Sequence, residues 1–362
     1  MNAHTRRRPR LLFVCGREPT YVRNALLRRH LAESFPVTLV ASTSRGYPAR
    51  FLSVIPRLVH AAKNADLIVT GFLGQPLAII AATILRKPVL LDAFVSVYDT
   101  LCLDRQVMSP GSPGGRIAFA MDHVAMRRAR LTLVDTESQR QFFASTFRIP
   151  VENIRVHYLG PDFNLVHSST PLTVTSQTTV LHYGSFLPLH GVDIVIEAAR
   201  LLTDLPTVRF RLIGAGPRYA QVRKHAQMLG LENVELIPWL PLSRLTQEIH
   251  STTIGLGGHF ADNPKARRVI AGKTYQLLAA GKPTIVGACS ANRELFRHGE
   301  HAEFVPMGDP SALAEAIRTL SSAEAYRSQL GNSGRALMLD LFDPENVAKN
   351  LREAVEIALA RA

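Results

Sequence analysis

The sequence predicts an α/β protein with two doubly wound parallel sheets, and three observations carry that prediction. Short apolar runs alternate with helix-spaced segments along nearly the whole chain, the pattern of buried parallel strands covered on both faces. Strands in the second half run into glycine-bearing ends, where backbone N–H groups and helix N-termini approach a phosphate. The 362 residues, 46% hydrophobic and 20% charged, suffice for two domains with separate cores.

In order, Leu11–Cys15 reads as a buried strand and Tyr21–Leu31 as a helix with Val22, Ala25, Leu26 and Leu31 on one side. Val37–Ala41 is the next strand, Phe51–Ala62 a helix and Leu67–Thr70 a strand. Pro76–Leu85 is a buried helix, far short of the roughly 20 residues a membrane span needs. Strand Val89–Leu91 leads to the glycine- and proline-rich stretch Met108–Gly115, read as a mobile loop. Helix Ile117–Ala129, strand Leu131–Val134, helix Ser138–Phe147 and strand Ile154–Tyr158 follow. Leu159–Gln177, rich in Ser and Thr, is the expected hinge. The alternation resumes through Leu320, and Asn346–Leu359 is the last helix.

Three units of the second half carry chemistry. Val180–Gly191 is a strand breaking at Gly184-Ser185 into a loop that ends in His190-Gly191; Phe210–Gly216 is a strand closing on Gly214-Ala215-Gly216; Gly272–Val286 is a helix with Gly281-Lys282-Pro283 at its end, running into a strand. In order and spacing these units resemble the GT-B glycosyltransferases, and within them the large retaining family 4, glycosyl transferases group 1. The resemblance is strong from about Ile154 onward. It implies two Rossmann-like domains facing a cleft: residues 1–165 for the acceptor, 166–335 for the nucleotide sugar, and 336–362 as a helical segment packing back on the first domain. The implied activity is transfer of a sugar from a nucleotide-diphosphate donor to a hydroxyl acceptor, with retention.

Side chains depart from the family pattern, which runs Gly-Arg…Lys-Gly, Val-Gly-x-Gly, then Glu-Ala-x-Ala-x-Gly-x-Pro-Val. Ser185 and His190 stand where the family has its Arg and Lys, and Arg268 and Gln276 where it has its paired glutamates. Replacement cations for the diphosphate are Lys265, Arg267, Arg268 and above all Lys273, whose alternative is a solvated charge. Of Arg267 and Arg268, one is expected on phosphate and one structural or exposed. Gly184, Gly214, Gly216 and Thr274 complete the implied donor set. Gln276 can still bond ribose hydroxyls, since an amide both donates and accepts. Glu294 is either near the donor or a surface carboxylate. Trp239, the single tryptophan, either flanks the base or fills the space beneath its loop.

In the first half, Gly16, Arg17, Tyr21 and Arg23 follow the first strand where the family has its acceptor loop. The loop after Val89–Leu91 lacks the histidine common in retaining relatives; Asp92 and Asp99 are the candidates for positioning the acceptor hydroxyl, with a helix cap as the alternative for Asp92. His123 is expected in the core. No Asp-x-Asp pair or metal-ligand spacing is present, so no metal or other cofactor is expected beyond the sugar nucleotide.

Of the 42 Lys and Arg, 22 fall in residues 1–165 against 11 of the 29 Asp and Glu, so 11 of the 13 net positive charges belong to the first half. Arg6–Arg10 and Arg127–Arg130 concentrate it. The second run ends an apolar-backed helix that either lies on an anionic membrane surface or simply turns its arginines to water. No nucleic-acid motif accompanies the charge. Cys15, Cys102 and Cys289 have no paired spacing and read as apolar fillers. With no signal-like N-terminus, the expected location is cytoplasmic, at the inner membrane face. Two other readings remain: a non-catalytic accessory protein of the same fold, and a nucleotide-sugar epimerase.

Overall fold

The computed structural model describes residues 7–16, 18–42, 44, 46–166 and 177–361. Arg17, Arg6 and hinge residues 167–176 lie outside the described residues. The chain divides into two compact units, Met1–Leu159 with Pro344–Ala362, and Gly160–Asp343.

The first unit runs β1 (Leu11–Val14), α1 (Val22–Ser34), β2 (Val37–Val40), α2 (Tyr47–Ala62), β3 (Leu67–Thr70), α3 (Gln75–Ile79), β4 (Val89–Asp92), α4 (Pro113–Arg128), β5 (Leu131–Val134), α5 (Glu137–Phe147) and β6 (Ile154–Val156). Its six strands are all parallel, in the order β2-β1-β3-β4-β5-β6. β1, β3, β4 and β5 are buried along their whole length, as expected of strands covered on both faces. Each buried Leu, Val or Phe contributes on the order of 1.5–3 kcal/mol.

The second unit runs β7 (Thr178–Ser185), α6 (Val192–Arg200), β8 (Val208–Ala215), α7 (Tyr219–Met228), β9 (Val234–Ile237), α8 (Leu242–Ser251), β10 (Ile254–Leu256), α9 (Pro264–Arg268), α10 (Gly272–Ala279), β11 (Thr284–Gly287), α11 (Ser290–Leu295), β12 (Glu303–Val305), α12 (Pro310–Ser322) and α13 (Glu324–Leu341). Its parallel order is β12-β11-β10-β7-β8-β9. The chain therefore reverses direction across the sheet between β7 and β10. The carboxyl ends of those two strands form the crevice in which such sheets bind ligands.

The last helix, α14 (Pro344–Ala360), belongs to the first unit. Its Leu351, Ala354, Val355 and Ala358 join a core with Phe13, Leu31, Val69, Leu90 and Leu131, and Arg155 fastens it through Glu353 at 2.7 Å.

Both expected domain boundaries move. Gly160–Asp162 belongs to the second unit, because the Asp162 N–H donates to the Gln276 side chain at 3.1 Å and Gly160 lies against the Phe342 ring. A boundary at 336 would cut α13, which packs on α10 so closely that a Cβ on Gly334 would sit 2.7 Å from Leu278. The break falls at Pro344 instead. The expected mobile loop Met108–Gly115 is partly helical: Ser112 accepts from the Gly115 N–H and Pro113 opens α4, a local start signal.

Candidate functional site

At the crevice of the second unit, β7 and β8 pair over eight residues and end together in Gly184-Ser185 and Gly214-Ala215. Gly184, Gly214 and Gly216 have φ of +139°, +144° and +146°, open to glycine and strained for other residues. A Cβ on Gly214 would lie 2.0 Å from the Gly184 carbonyl oxygen, and one on Gly216 2.6 Å from the Phe186 nitrogen. These two glycines therefore let the strand ends pack backbone to backbone. The close packing fixes where the backbone N–H groups of the two strand ends stand beside the crevice.

Beside that end lies a cluster of buried bases. Lys273, in the first turn of α10, is 7% exposed, and its Nζ lies 3.5 Å from Nε2 of the fully buried His182 of β7. His190, in the turn after β7, has its ring 5.9 Å from that of His182 and 5.3 Å from that of His259, which follows β10. Burial brings Lys273 down to about 7 and His259 to about 3, and the Lys273 charge adds to the depression of His259. His182 and His190 are held well below the usual histidine value, by burial first and then by Lys273. No carboxylate pairs with Lys273 among the described residues, and Nδ1 of both His182 and His259 is buried without a hydrogen-bond partner. A Cβ on Gly184 would come within 3.4 Å of His190 and 3.8 Å of Lys273, so this glycine faces the cluster. Lys273 is not the solvated charge its helix position also allowed.

The other expected donor residues divide. Thr274 is buried against Gly257, its Oγ1 without a hydrogen-bond partner. Ser185 is exposed at the strand end. Trp239 is 51% exposed past β9, which removes the filler reading and leaves its face open to a ring. Arg267 is exposed and bound to Asp262 at 2.7 Å, the structural member of its pair; Arg268 is half-buried in α9. Gln276 corrects its expected ribose role: its carbonyl accepts from the Asp162 N–H and its amide donates to the Asp162 carbonyl, both at 3.1 Å. It clips the segment entering the unit. Glu294 is half-buried in α11.

In the first unit the chain reverses between β1 and β3. Gly16 is buried there, its Cβ direction closed by the Leu73 carbonyl oxygen at 2.2 Å. Tyr21 stacks on Phe72 with ring centroids 4.6 Å apart. Asn24 ties the two loops, donating to the Glu18 carbonyl and accepting from the Phe72 N–H, both at 2.9 Å.

Two site expectations are corrected here. Arg23 and Asp92 are each 1% exposed, and the guanidinium grips the carboxylate through Nη2 at 2.8 Å and Nε at 3.1 Å. Its Nη1 donates to the His157 carbonyl at 2.7 Å. Arg23 is thus not presented to an acceptor, nor Asp92 to a hydroxyl; together they join the ends of α1, β4 and β6. Asp99 is fully buried, its N–H donating to Ser96 Oγ at 2.9 Å. The carboxylate that organises this loop is Asp122 of α4, which accepts from Ser96 Oγ, Gln75 Nε2 and the Val97 and Tyr98 N–H groups; burial raises it to about 6. His123 is a core residue, bonded to the Phe147 carbonyl at 2.8 Å and stacked on Phe119. The three cysteines are buried, and none of them is in a disulfide. Arg127 and Arg128 are exposed at the end of α4, with Ile117 of the same helix 62% exposed. No helix among the described residues is long and apolar enough to cross a membrane.

His182, His259, Asp122 and Asn24 were not singled out from the sequence. His259 had a signal, since it follows Gly257-Gly258 at a strand end. His182 sits inside an apolar strand, and Asp122 is one acid in an apolar helix.

The two parallel six-stranded sheets define the GT-B glycosyltransferase fold. Over 96% of this chain and 99% of the other, it matches Anabaena HepE in complex with UDP and glucose, with a TM-score of 0.72 at 19% identity. Sucrose-phosphate synthase from Thermosynechococcus elongatus gives 0.76 at 15% identity, over 98% and 100%. Within that fold, residues 177–323, in the second unit, match the family Glycosyl transferases group 1. Among curated relatives, an exopolysaccharide phosphotransferase of Streptomyces coelicolor is 30% identical over 164 residues, 44% of this chain and 17% of the relative. The D-rhamnosyltransferase WbpZ of Pseudomonas aeruginosa is 27% identical over 159 residues, 42% of this chain and 38% of the relative. The match spans less than half the length of each.

Proposed function

We propose that this chain is a glycosyltransferase that moves a sugar from a nucleoside-diphosphate donor to a hydroxyl acceptor. The observation that carries the reading is Lys273: a buried ammonium without a carboxylate partner, at the reversal point of a parallel sheet, beside Gly184 and three imidazoles. Such a group is matched by an anion from outside the chain. As the bond from the sugar C1 to the diphosphate oxygen breaks, negative charge grows on the leaving group, and a fixed cation stabilises it more in the transition state than in the ground state. The acceptor oxygen forms the new bond to C1 and its proton passes to an oxygen of the departing diphosphate. In this reading Lys273 meets the charge that a metal meets in other transferases, and Trp239 stacks on the base. HepE, which binds UDP and UDP-glucose, makes uridine sugars the first donors to try.

The acceptor belongs to the first unit, whose surplus of arginine suits an anionic, lipid-linked or envelope acceptor presented at the inner face of a membrane. Retention of configuration follows the family resemblance.

The test is thermal stabilisation by UDP, GDP, dTDP and ADP and their sugar conjugates, followed by release of the nucleoside diphosphate in the presence of lipid-linked acceptors. A saturating ligand at about 100 times its Kd adds roughly 2.7 kcal/mol. Stabilisation by one nucleotide and its sugar, lost in Lys273→Met, supports the reading; no response to any member overturns it. A second reading, a sugar-nucleotide-binding protein without turnover, is favoured by the engagement of Asp92 with Arg23 and of Gln276 with Asp162. Binding without release of nucleotide on any acceptor would establish it.

A further inference from the structure

We infer that His182 and His259, together with His190, make the Lys273 pocket a proton-coupled anion site, which takes up protons as it takes a diphosphate ester. This rests on the proposed donor site and goes beyond it by assigning roles to two histidines that the family pattern does not contain.

Four basic side chains converge there from separate elements: His182 from β7, His190 from the turn after it, His259 from the end of β10 and Lys273 from α10. Lys265 of α9 adds its field at His259. No acidic group enters the electrostatics of any of the four, and the nearby Asp262 is exposed and bound to Arg267. Packed together out of water, these bases cannot all carry charge: one protonated member disfavours protonation of the next. By itself the cluster therefore holds fewer protons than the same groups would hold apart. Nδ1 of both His182 and His259 lacks a hydrogen-bond partner, so no neighbour fixes the protonation of either ring from that side.

A diphosphate ester reverses the balance. Its two negative charges favour the charged form of every base within a few ångströms, so ligand and protons bind together. By linkage, affinity then rises as pH falls, up to about tenfold per pH unit for each proton taken up. A nucleotide sugar is the fitting probe, because its diphosphate is esterified at both ends and keeps its charge near neutrality. Any protons taken up must then go to the protein.

The experiment is titration calorimetry of the full chain with UDP-glucose, GDP-mannose and ADP-glucose at about pH 7.5, in buffers of differing ionisation enthalpy. The expected result is uptake of roughly half a proton or more per ligand, with binding that tightens severalfold between about pH 8.5 and 6.5. Binding whose heat is independent of buffer overturns the coupling and leaves the donor site standing. Failure of every probe to bind overturns both. The variant His182→Gln/His259→Asn, checked for native unfolding behaviour, should bind more weakly near pH 6.5, with smaller uptake and a flatter dependence of affinity on pH. Undiminished uptake in that variant would remove the two histidines from the mechanism.

Discussion

Arg23 and Asp92 were candidates for two different jobs, acceptor binding and catalysis, and the fold gives them to each other. Their burial sets the cost of separating them. Arg23→Ala leaves a carboxylate buried without a counter-ion, so it should destabilise the protein by about 3–5 kcal/mol in chemical denaturation. Asp122 has a different role, accepting three hydrogen bonds from the loop after β4 and a fourth from Gln75 of α3. Asp122→Asn sets an NH₂ group against donors and should cost about 1–3 kcal/mol, read in the same experiment. Trp239 lies outside any core. Trp239→Ala should leave the unfolding midpoint unchanged while weakening nucleotide binding by about 1–3 kcal/mol, roughly five- to 150-fold in Kd by calorimetry.

At the scale of elements, the ends of β7 and β8 are close because neither Gly214 nor Gly216 has a side chain. Gly214→Ala places a methyl 2.0 Å from the Gly184 carbonyl at a φ that alanine avoids. It should lower stability by more than about 1 kcal/mol and reduce donor binding beyond that, as a thermal-shift titration would reveal. The sequence located these strand ends well, because an apolar run closing on glycine is a local pattern. It placed helix starts less well. α4 begins inside the expected loop because Ser112 and Pro113 outweigh the glycines that follow.

For the whole molecule, pH dependence follows from buried bases. The folded-state values of Lys273 and Lys282, about 7 and about 8, lie below the ordinary lysine value of 10.5. Between those limits the unfolded chain holds protons that the folded chain does not, so stability rises with pH through that window. His182, His190 and His259 are held neutral, so below about 6.5 the unfolded chain again gains protons and stability falls toward acid. Asp122, raised from 3.8 to about 6, acts the other way: its contribution is full below the lower value and lost by the upper one. Lys273, Lys282, His182, His190 and His259 lie in the second unit, while Asp122 and His157, depressed like the other three histidines, lie in the first. The prediction is that the transition of the second unit moves to higher temperature from about pH 5 to 9, as calorimetric scans would show.

The sequence by itself determined the alternation of strands and helices, the doubly wound class of both units and the glycine-bearing strand ends, because burial and turn chemistry are written locally. It also singled out Lys273, from its place at the start of a helix after a glycine. Only the tertiary structure decided which residues meet. His182 and His259, 77 positions apart in the chain, flank one pocket because β7 and β10 are neighbours in the sheet. Arg23 and Asp92 cancel each other because α1 and β4 end side by side. Gln276 is drawn to Asp162 rather than left to a ribose. Charge and hydrogen-bond capacity are properties of single residues, but whether they remain available for chemistry depends on what the fold packs against them.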